Sequence, residues 1–274
     1  NDAIADFGIT SLGFEENYLT VAEYNGYVAH LNAKLEPMNA KIHAFRATKE
    51  EWELERMRKA QEITDKSFTE VLTKIKVGMT EKELCAELIY CLLKNGADGL
   101  SFDPIVVSGP NTSVPHGVAG DRVIQPGDFI TMDFGATYQG YCADMTRTVA
   151  VGFATDEMKN VYNAVLKAQQ NCLDKIKAGV SCKDGDEFAR SVIREAGYGQ
   201  YFTHSTGHGV GVEIHEFPNL SPYSDSILQK GNIVTVEPGI YIPEKFGVRI
   251  EDMALITESG CRNLTSAPKE LIIL

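Results

Sequence analysis

The spacing of apolar residues divides the chain into segments with helix periodicity and segments with strand periodicity. From residue 48, apolar side chains recur every three or four positions, which predicts a helix that runs up to a stop at Gly78. Thr48, with a glutamate three positions later, has the spacing of a capping box. The same signal at Thr80 predicts a second helix that ends near Gly96.

Short runs rich in β-branched and aromatic residues, bounded by Gly, Pro or Asp, predict strands. These runs are residues 105–108, 129–134, 145–151, 233–236 and 248–256.

The first 46 residues contain only an extended segment at 10–15, a helix at 20–31 and an extended segment at 34–38. A piece of this size buries too little apolar surface to form a core by itself. We therefore predict two domains, with residues 1–46 as the C-terminal remnant of an amino-terminal domain and residues 47–274 as the main domain.

The composition is that of a folded protein, with 43% hydrophobic and 23% charged residues. The net charge of −12 opposes nucleic-acid binding, which depends on basic side chains, and favours a cationic metal or a basic partner. No apolar run approaches the length of a membrane span. The six cysteines form no C-x-x-C pair, so we expect reduced thiols, and without a signal segment we expect a cytoplasmic protein.

The most informative feature of the chain is an internal sequence repeat, called the echo below, in which short motifs of the first half recur in the second half. Gly78 before one helix matches Gly179 before another, 101 residues later. Thr-Met-Asp-Phe-Gly at 131–135 matches Thr-Val-Glu-Pro-Gly at 235–239, 104 residues later. The echo predicts two halves related by approximate two-fold symmetry.

Acidic residues fall on acidic residues in this echo. Asp133 aligns with Glu237, and Asp144 aligns with Glu251. If the halves are symmetric, four carboxylates converge on one axis, where like charges raise one another's pKa unless a cation neutralises them. His208, flanked by glycines, supplies an imidazole, and this donor set suits Mn, Co, Fe or Zn. Taken alone, each acid is more typical of a turn or a solvated position, and the histidine of a hydrogen-bonded surface or core residue; their combination is what favours a metal site.

The other histidines are less decisive from sequence. His116 and His215 lie in loop or strand contexts and fit a site or a surface equally. His204 is either a neighbour of the site or a polar residue satisfied by hydrogen bonds. Competing motifs are excluded by spacing: Asn219 stands where a zincin would need its second histidine, and no G-x-S-x-G elbow or Walker loop is present.

From about residue 48 to the end, the chain resembles the pita-bread metallopeptidases, the group that holds methionine aminopeptidase, aminopeptidase P and prolidase. The resemblance rests on five blocks in order: Met-Asp-Phe-Gly at 132–135, Ala-Asp-Met-Thr-Arg-Thr at 143–148, His-Ser-Thr-Gly-His-Gly-Val-Gly at 204–211, Val-Glu-Pro-Gly at 236–239 and Arg-Ile-Glu-Asp at 249–252. It implies an α+β protein with the pita-bread (creatinase/aminopeptidase) fold, in which two halves are duplicated by a pseudo-two-fold relation, with a curved antiparallel sheet and outer helices. It also implies that residues 1–46 belong to a creatinase-like amino-terminal domain.

The resemblance implies a site for two divalent ions, with Mn as the first candidate and Co, Fe or Zn as alternatives. Asp133 would bind one ion, His208 and Glu237 the other, and Asp144 and Glu251 would bridge them. All five ligands are present, which separates the chain from metal-free members of the fold.

The resemblance also implies catalytic and substrate-binding residues. Glu237 is the candidate general base, and His116 and His215 would bind the substrate or move protons. His204, Tyr241 and Arg249 are expected to line the substrate site. Arg249 either pairs with a substrate carboxylate or fixes an acidic ligand.

The blocks at 239–243 and 247–249 resemble the proline-specific branch. The expected reaction is metal-dependent hydrolysis of an Xaa-Pro bond at the amino terminus of peptides or dipeptides, by a homodimer. The alternatives are a methionine aminopeptidase and a non-catalytic peptide-binding member of the fold.

Overall fold

The computed structural model describes all 274 residues, which divide into two compact units, residues 1–46 and residues 47–274. The first unit contains five short elements: α1 (Asp2–Asp6), β1 (Ser11–Phe14), α2 (Val21–His30), β2 (Lys34–Pro37) and the start of α3 (Asn39–Ala47). Strands β1 and β2 pair in parallel. Thr20 caps α2 and forms a capping box with Glu23. No residue of α2 is buried.

Four long helices belong to the second unit: α4 (Glu51–Leu72), α5 (Glu81–Lys94), α6 (Asp156–Lys175) and α7 (Cys182–Glu195). The prediction that Thr48 caps α4 is wrong, because the cap is Glu50, which forms the capping box with Glu53. Thr48 instead pairs with Asn232 in an isolated antiparallel bridge. The backbone at residue 48 is therefore extended, and the helix begins three residues later.

The strands of the second unit pair with one another in antiparallel fashion. The strands before α6 are β3 (Gly99–Leu100), β4 (Ile105–Ser108), β5 (Phe129–Phe134), β6 (Ala136–Tyr138), β7 (Tyr141–Cys142) and β8 (Met145–Ala150). Those after α7 are β9 (Gly207–Gly209), β10 (Glu216–Leu220), β11 (Ile233–Val236), β12 (Gly239–Ile242), β13 (Phe246–Arg249), β14 (Asp252–Ile256) and β15 (Cys261–Asn263). The largest sheet has five strands in the order β10-β9-β11-β14-β15, and two sheets of three strands have the orders β3-β6-β7 and β4-β5-β8.

One predicted strand is divided in the structure. The run at 248–256 forms two strands, β13 and β14, which are separated by Ile250 and Glu251. The backbone N–H of Glu251 donates to the carbonyl of Thr146 in β8 at 3.1 Å, whereas β13 pairs with β12 and β14 pairs with β11 and β15. The chain therefore changes its partner strand at the residue that the sequence identified as an acidic ligand.

The two halves repeat their backbone arrangement, as the sequence echo predicts. Gly78 and Gly179 both adopt the left-handed region, with φ of 95° and 89°. The Gly78 N–H donates to the carbonyl of Ile124 at 3.0 Å, and the Gly179 N–H donates to that of Leu228 at 2.8 Å. A left-handed backbone favours glycine because a Cβ atom is strained there, which explains the repeated glycine.

Each pair of helices packs against strands of its own half, and α4 also packs against strands of the second half. Buried side chains of α4 and α5 pack with β4, β5 and β8 in one core, and those of α6 and α7 pack with β11 to β14 in another. Every residue of β5 and β8 is buried. All six cysteines are free thiols. None of the helices combines the length and the apolar composition that crossing a lipid bilayer demands.

Candidate metal centre

The five predicted ligands line one open cavity of about 460 Å³. Asp133 lies near the end of β5, and Asp144 immediately precedes β8. His208 is the middle residue of β9, Glu237 follows β11, and Glu251 precedes β14. Both halves of the duplicated domain thus contribute side chains to the same cavity.

The side-chain atoms of these residues lie within the reach of a metal ion. One ligand atom from each of Asp144, His208 and Glu251 lies within 4.8 Å of the others. His208 Nε2 is 3.3 Å from Glu237 Oε1 and 3.5 Å from Asp144 Oδ2. His208 Nδ1 is 3.0 Å from the carbonyl of Gly209, which can only accept a hydrogen bond, so Nδ1 holds the proton. The lone pair of Nε2 is therefore directed towards the acids, as in a metal-binding histidine.

Two oxygens of the cluster are buried without a hydrogen-bond partner. They are Asp133 Oδ1 and Glu251 Oε1. Buried polar atoms in native proteins nearly always have a partner. Oxygen atoms of buried carboxylates beside an imidazole are the donors that a divalent first-row ion prefers, so the residues present fit such an ion.

The electrostatics of the cluster point to the same conclusion. Burial raises the pKa of Asp144 well above its usual range, and the charges of Glu251, Asp133 and Glu237 raise it further. Burial, followed by the neighbouring acids, also raises the pKa of Glu251 well above its usual range. Burial raises the pKa of Glu237 to about 8, against the lowering effect of Arg249. Without cations the cluster therefore retains protons, and a cation would displace them.

Glycines allow β9 to lie between its two neighbours. A Cβ atom on Gly207 would be 1.9 Å from the carbonyl oxygen of Thr235 in β11, and one on Gly209 would be 2.6 Å from that of Phe217 in β10. Only glycine permits this approach of the three backbones. The glycines therefore place His208 against β11, beside Glu237.

Two threonine hydroxyls, which the sequence analysis did not identify, orient the ligands. Thr146 Oγ1 donates to Glu251 Oε2 at 2.7 Å. Thr235 Oγ1 donates to Glu237 Oε1 at 3.1 Å and accepts from the His208 N–H at 3.0 Å. Both threonines are fully buried. Each lies two positions from a predicted ligand along the chain, Thr146 from Asp144 and Thr235 from Glu237, but no spacing rule distinguishes them from core threonines.

Arg249 is engaged by the protein itself. Its Nη2 donates to Asp133 Oδ2 at 2.6 Å, its Nε to Thr146 Oγ1 at 3.0 Å and its Nη1 to the hydroxyl of Tyr241 at 2.7 Å. Nη1 also donates to the carbonyl of Pro115 at 3.2 Å. Four contacts within the protein favour the second of the two predicted roles, in which the arginine fixes an acidic ligand.

His204 and Tyr241 continue this network. His204 Nδ1 donates to the carbonyl of Ser205 at 2.8 Å, so its Nε2 accepts the hydroxyl proton of Tyr241 at 2.8 Å. Burial, followed by the charge of Arg249, lowers the pKa of His204 to about 4. His204 is thus a neutral, hydrogen-bonded residue of the cavity wall, and a direct contact of His204 or Tyr241 with substrate stays a prediction.

His116 and His215 lie at the mouth of the same cavity, where both are solvent-exposed. The ring centroids of His215 and His208 are 4.4 Å apart. Burial, followed by the charge of His208, lowers the pKa of His215. The structure therefore brings both loop histidines to the site, although the sequence left their location open.

A buried ion pair supports the segment that bears His215. Lys49 Nζ lies 3.1 Å from Glu216 Oε2, and their side chains are only 1% and 4% exposed. Glu216 Oε1 also accepts the N–H of Glu213 at 3.0 Å. The pair joins residues 167 positions apart, and no local pattern predicts such a contact.

Comparisons with known proteins agree with this geometry. The sequence model of metallopeptidase family M24 matches residues 55–258. A Xaa-Pro dipeptidase of Pyrococcus horikoshii is 42% identical over 97% of this chain and 76% of its own length. The crystal structure of an X-Pro aminopeptidase of Thermotoga maritima superposes with a TM-score of 0.96 at 42% identity. A Xaa-Pro dipeptidase of Bacillus anthracis superposes with a TM-score of 0.97 at 46% identity. In both structural superpositions all of this chain and 77% of the other are covered.

Proposed function

Because the chain belongs to metallopeptidase family M24, we propose that it hydrolyses the bond between an amino-terminal residue and a proline in the second position of a peptide. The observation that carries the proposal is the convergence of four carboxylates and one imidazole in a single cavity, where two buried carboxylate oxygens lack a partner. The names of the similar dipeptidases and aminopeptidase support proline in the second position.

The five converging side chains would hold two divalent ions. Asp133 would bind one ion, His208 and Glu237 the other, and Asp144 and Glu251 would bridge them. When bound, such ions supply Lewis acidity, which lowers the pKa of a bound water towards about 7 and polarises the scissile carbonyl. We propose Mn²⁺ as the native ion, since carboxylate oxygens dominate the donor set, with Co, Fe or Zn as alternatives.

The remaining steps belong to protein side chains. Glu237, whose side chain lines the cavity, would take a proton from the attacking water as general base. As the carbon–nitrogen bond breaks, the proline nitrogen must gain a proton. His116 and His215, at the mouth of the cavity, are the groups that would hold or deliver it.

Substrate binding involves the cavity wall as well. His204, Tyr241 and Arg249 line or support the cavity, and Arg249 fixes Asp133 in place. The assembly into a homodimer stays a prediction of the family resemblance.

A peptide panel tests the proposed reaction. The Mn²⁺-loaded protein is incubated with an Xaa-Pro dipeptide, an Xaa-Pro-Xaa tripeptide and Met-Ala-Ser, and the released residue is quantified. We expect cleavage of the proline peptides only. Cleavage of Met-Ala-Ser alone would favour a methionine aminopeptidase, and cleavage of none of the three would favour the peptide-binding alternative.

Substitution of a bridging ligand tests the site. We expect Asp144→Asn to lose both bound metal, measured by elemental analysis, and turnover. The matched control is Asp156→Asn, because the Asp156 side chain is 99% exposed at the start of α6. Full activity of Asp144→Asn would refute the bridging assignment.

A further inference from the structure

The segment that bears His116 is a long connection between β4 and β5. It contains one short 3-10 helix, Gly109–Ser113, and His116 follows that helix on the cavity wall. His116 is exposed, so apolar packing does not fix its position. The segment must therefore be held by other contacts if His116 is to face a substrate reproducibly.

A buried carboxylate outside the metal centre binds this part of the chain on both sides of His116. Glu81, the first residue of α5, is fully buried. At the start of the segment, Glu81 Oε1 accepts the N–H of Ser108 at 2.7 Å, its hydroxyl at 2.9 Å, and Nδ2 of Asn111 at 3.0 Å. After His116, Glu81 Oε2 accepts the N–H of Gly120 at 3.0 Å. All four donors belong to the connection or to the residue before it.

The middle of the segment is held from the other half of the domain. The hydroxyl of Thr112 accepts the N–H of Gly247 at 2.8 Å. The carbonyl of Pro115 accepts a hydrogen bond from Arg249, which also binds Asp133. His116 thus follows a residue that is tied directly to the network of the metal centre, while Glu81 fixes the points from which the segment leaves and returns.

The second half of the domain shows that the carboxylate is not needed to begin the helix. In the echo, Cys182 occupies the position of Glu81. The Glu81 N–H donates to the carbonyl of Arg122 at 3.1 Å, and the Cys182 N–H donates to that of Ser226 at 2.8 Å. The backbone arrangement is therefore repeated without an acid, so the Glu81 side chain serves the segment rather than the start of α5.

We propose that Glu81 is a positioning residue for His116: by binding Ser108, Asn111 and Gly120 together, it holds the His116 segment at the mouth of the cavity. This inference rests on the proposed role of His116 in Xaa-Pro hydrolysis. Misplacement of a reacting group by about 1 Å costs on the order of 10²-fold in rate. A loosened segment should accordingly lower kcat without loss of metal.

A double-mutant cycle in kcat tests the inference, with Glu81→Gln and His116→Ala made singly and together and assayed on an Xaa-Pro tripeptide with Mn²⁺. The glutamine keeps the volume of Glu81, but it offers one oxygen and an amide NH₂ where the glutamate offers two oxygens, so one of the two loop ends loses its acceptor. We expect Glu81→Gln to lower kcat by about 10- to 100-fold, with unchanged metal content. In the His116→Ala background the same change should have less than about a threefold effect, because the residue being positioned is gone.

Two further variants keep the result interpretable. The carboxylate of Glu83, on the same helix turn, binds only Thr80. The variant Glu83→Gln should therefore retain the wild-type kcat. If Glu81→Gln fails to fold, Asn111→Ala removes a single donor from Glu81 and should show a smaller loss that also disappears with His116→Ala.

The outcomes separate the inference from the proposed function. If the loss of kcat in the double variant equals the product of the losses in Glu81→Gln and His116→Ala, the positioning role is overturned and the proposed reaction still stands. A residue that only stabilises the fold would have the same effect on kcat whether or not His116 is present. An unchanged kcat in His116→Ala would overturn both the proposed role of His116 and the positioning role of Glu81.

Discussion

The hydroxyl of Thr146 offers a stringent test of how the metal centre is organised. Thr146→Val preserves the shape of a fully buried side chain but removes the donor that binds Glu251 Oε2 at 2.7 Å. The other oxygen of Glu251 has no partner within the protein, so Thr146 supplies the hydrogen bond that orients this ligand.

The magnitude follows from two independent considerations. A hydrogen bond to a charged group contributes about 1.5–3 kcal/mol. Loss of a residue that orients a metal ligand lowers metal affinity by about 10- to 100-fold. A change of that size corresponds to about 1.4–2.8 kcal/mol, so the two ranges agree. We expect Thr146→Val to bind Mn²⁺ about 10- to 100-fold more weakly than the unmodified protein.

Thr131→Val is the matched control. Thr131 is nearly fully buried on the adjacent strand β5 and pairs with the hydroxyl of Thr148 at 3.2 Å, not with a ligand. Titration calorimetry of both variants with Mn²⁺, after chelation and dialysis, measures the affinities. Equal affinities of Thr146→Val and Thr131→Val would refute the idea that the hydroxyl prepares Glu251 for the ion.

Two other predictions concern stability. Since the folded protein raises the pKa of Glu237 to about 8 from its usual 4.5, the protonated form stabilises the fold fully below about pH 4.5, and this contribution is lost as the pH rises through 8. Between pH 7 and 9, thermal melts of the chelated protein should show a falling Tm, and Mn²⁺ should abolish the fall; an equal slope with and without metal would contradict this reasoning. Arg147→Met removes the guanidinium that binds Asp252 at 2.8 Å in a fully buried pair, which should lower the free energy of unfolding in urea by about 3–5 kcal/mol. The exposed Arg194→Met should cost about 1 kcal/mol or less, and similar losses in both variants would argue against burial as the cause.

The sequence predicts those parts of the site that lie in the motifs repeated between the two halves. The echo placed Asp133 on Glu237 and Asp144 on Glu251, and the structure brings all four to one cavity because the two halves repeat their strands and turns. The strands at 105–108, 129–134 and 233–236 were predicted with the bounds that the structure shows.

The sequence was less informative where distant residues decide the structure. Thr48 has the right neighbour for a capping box, but a bridge to Asn232 prevents it from capping the helix. The carboxylate of Glu81 reads as an ordinary acidic residue in the first turn of a helix, and its burial depends on a segment about 30 residues away. The spacing of apolar residues indicates the local preference of the chain for helix or strand, whereas these contacts form between residues that only the complete fold brings together.

The division of the ligands between the halves has a consequence for how the protein unfolds. Asp133 and Asp144 come from the first half, and His208, Glu237 and Glu251 come from the second. A pair of ions bound by both halves would link them, and neither half alone has the full set of ligands. Opening either half would release the ions, so their binding energy would add to the stability of both halves at once and make them melt as one cooperative unit.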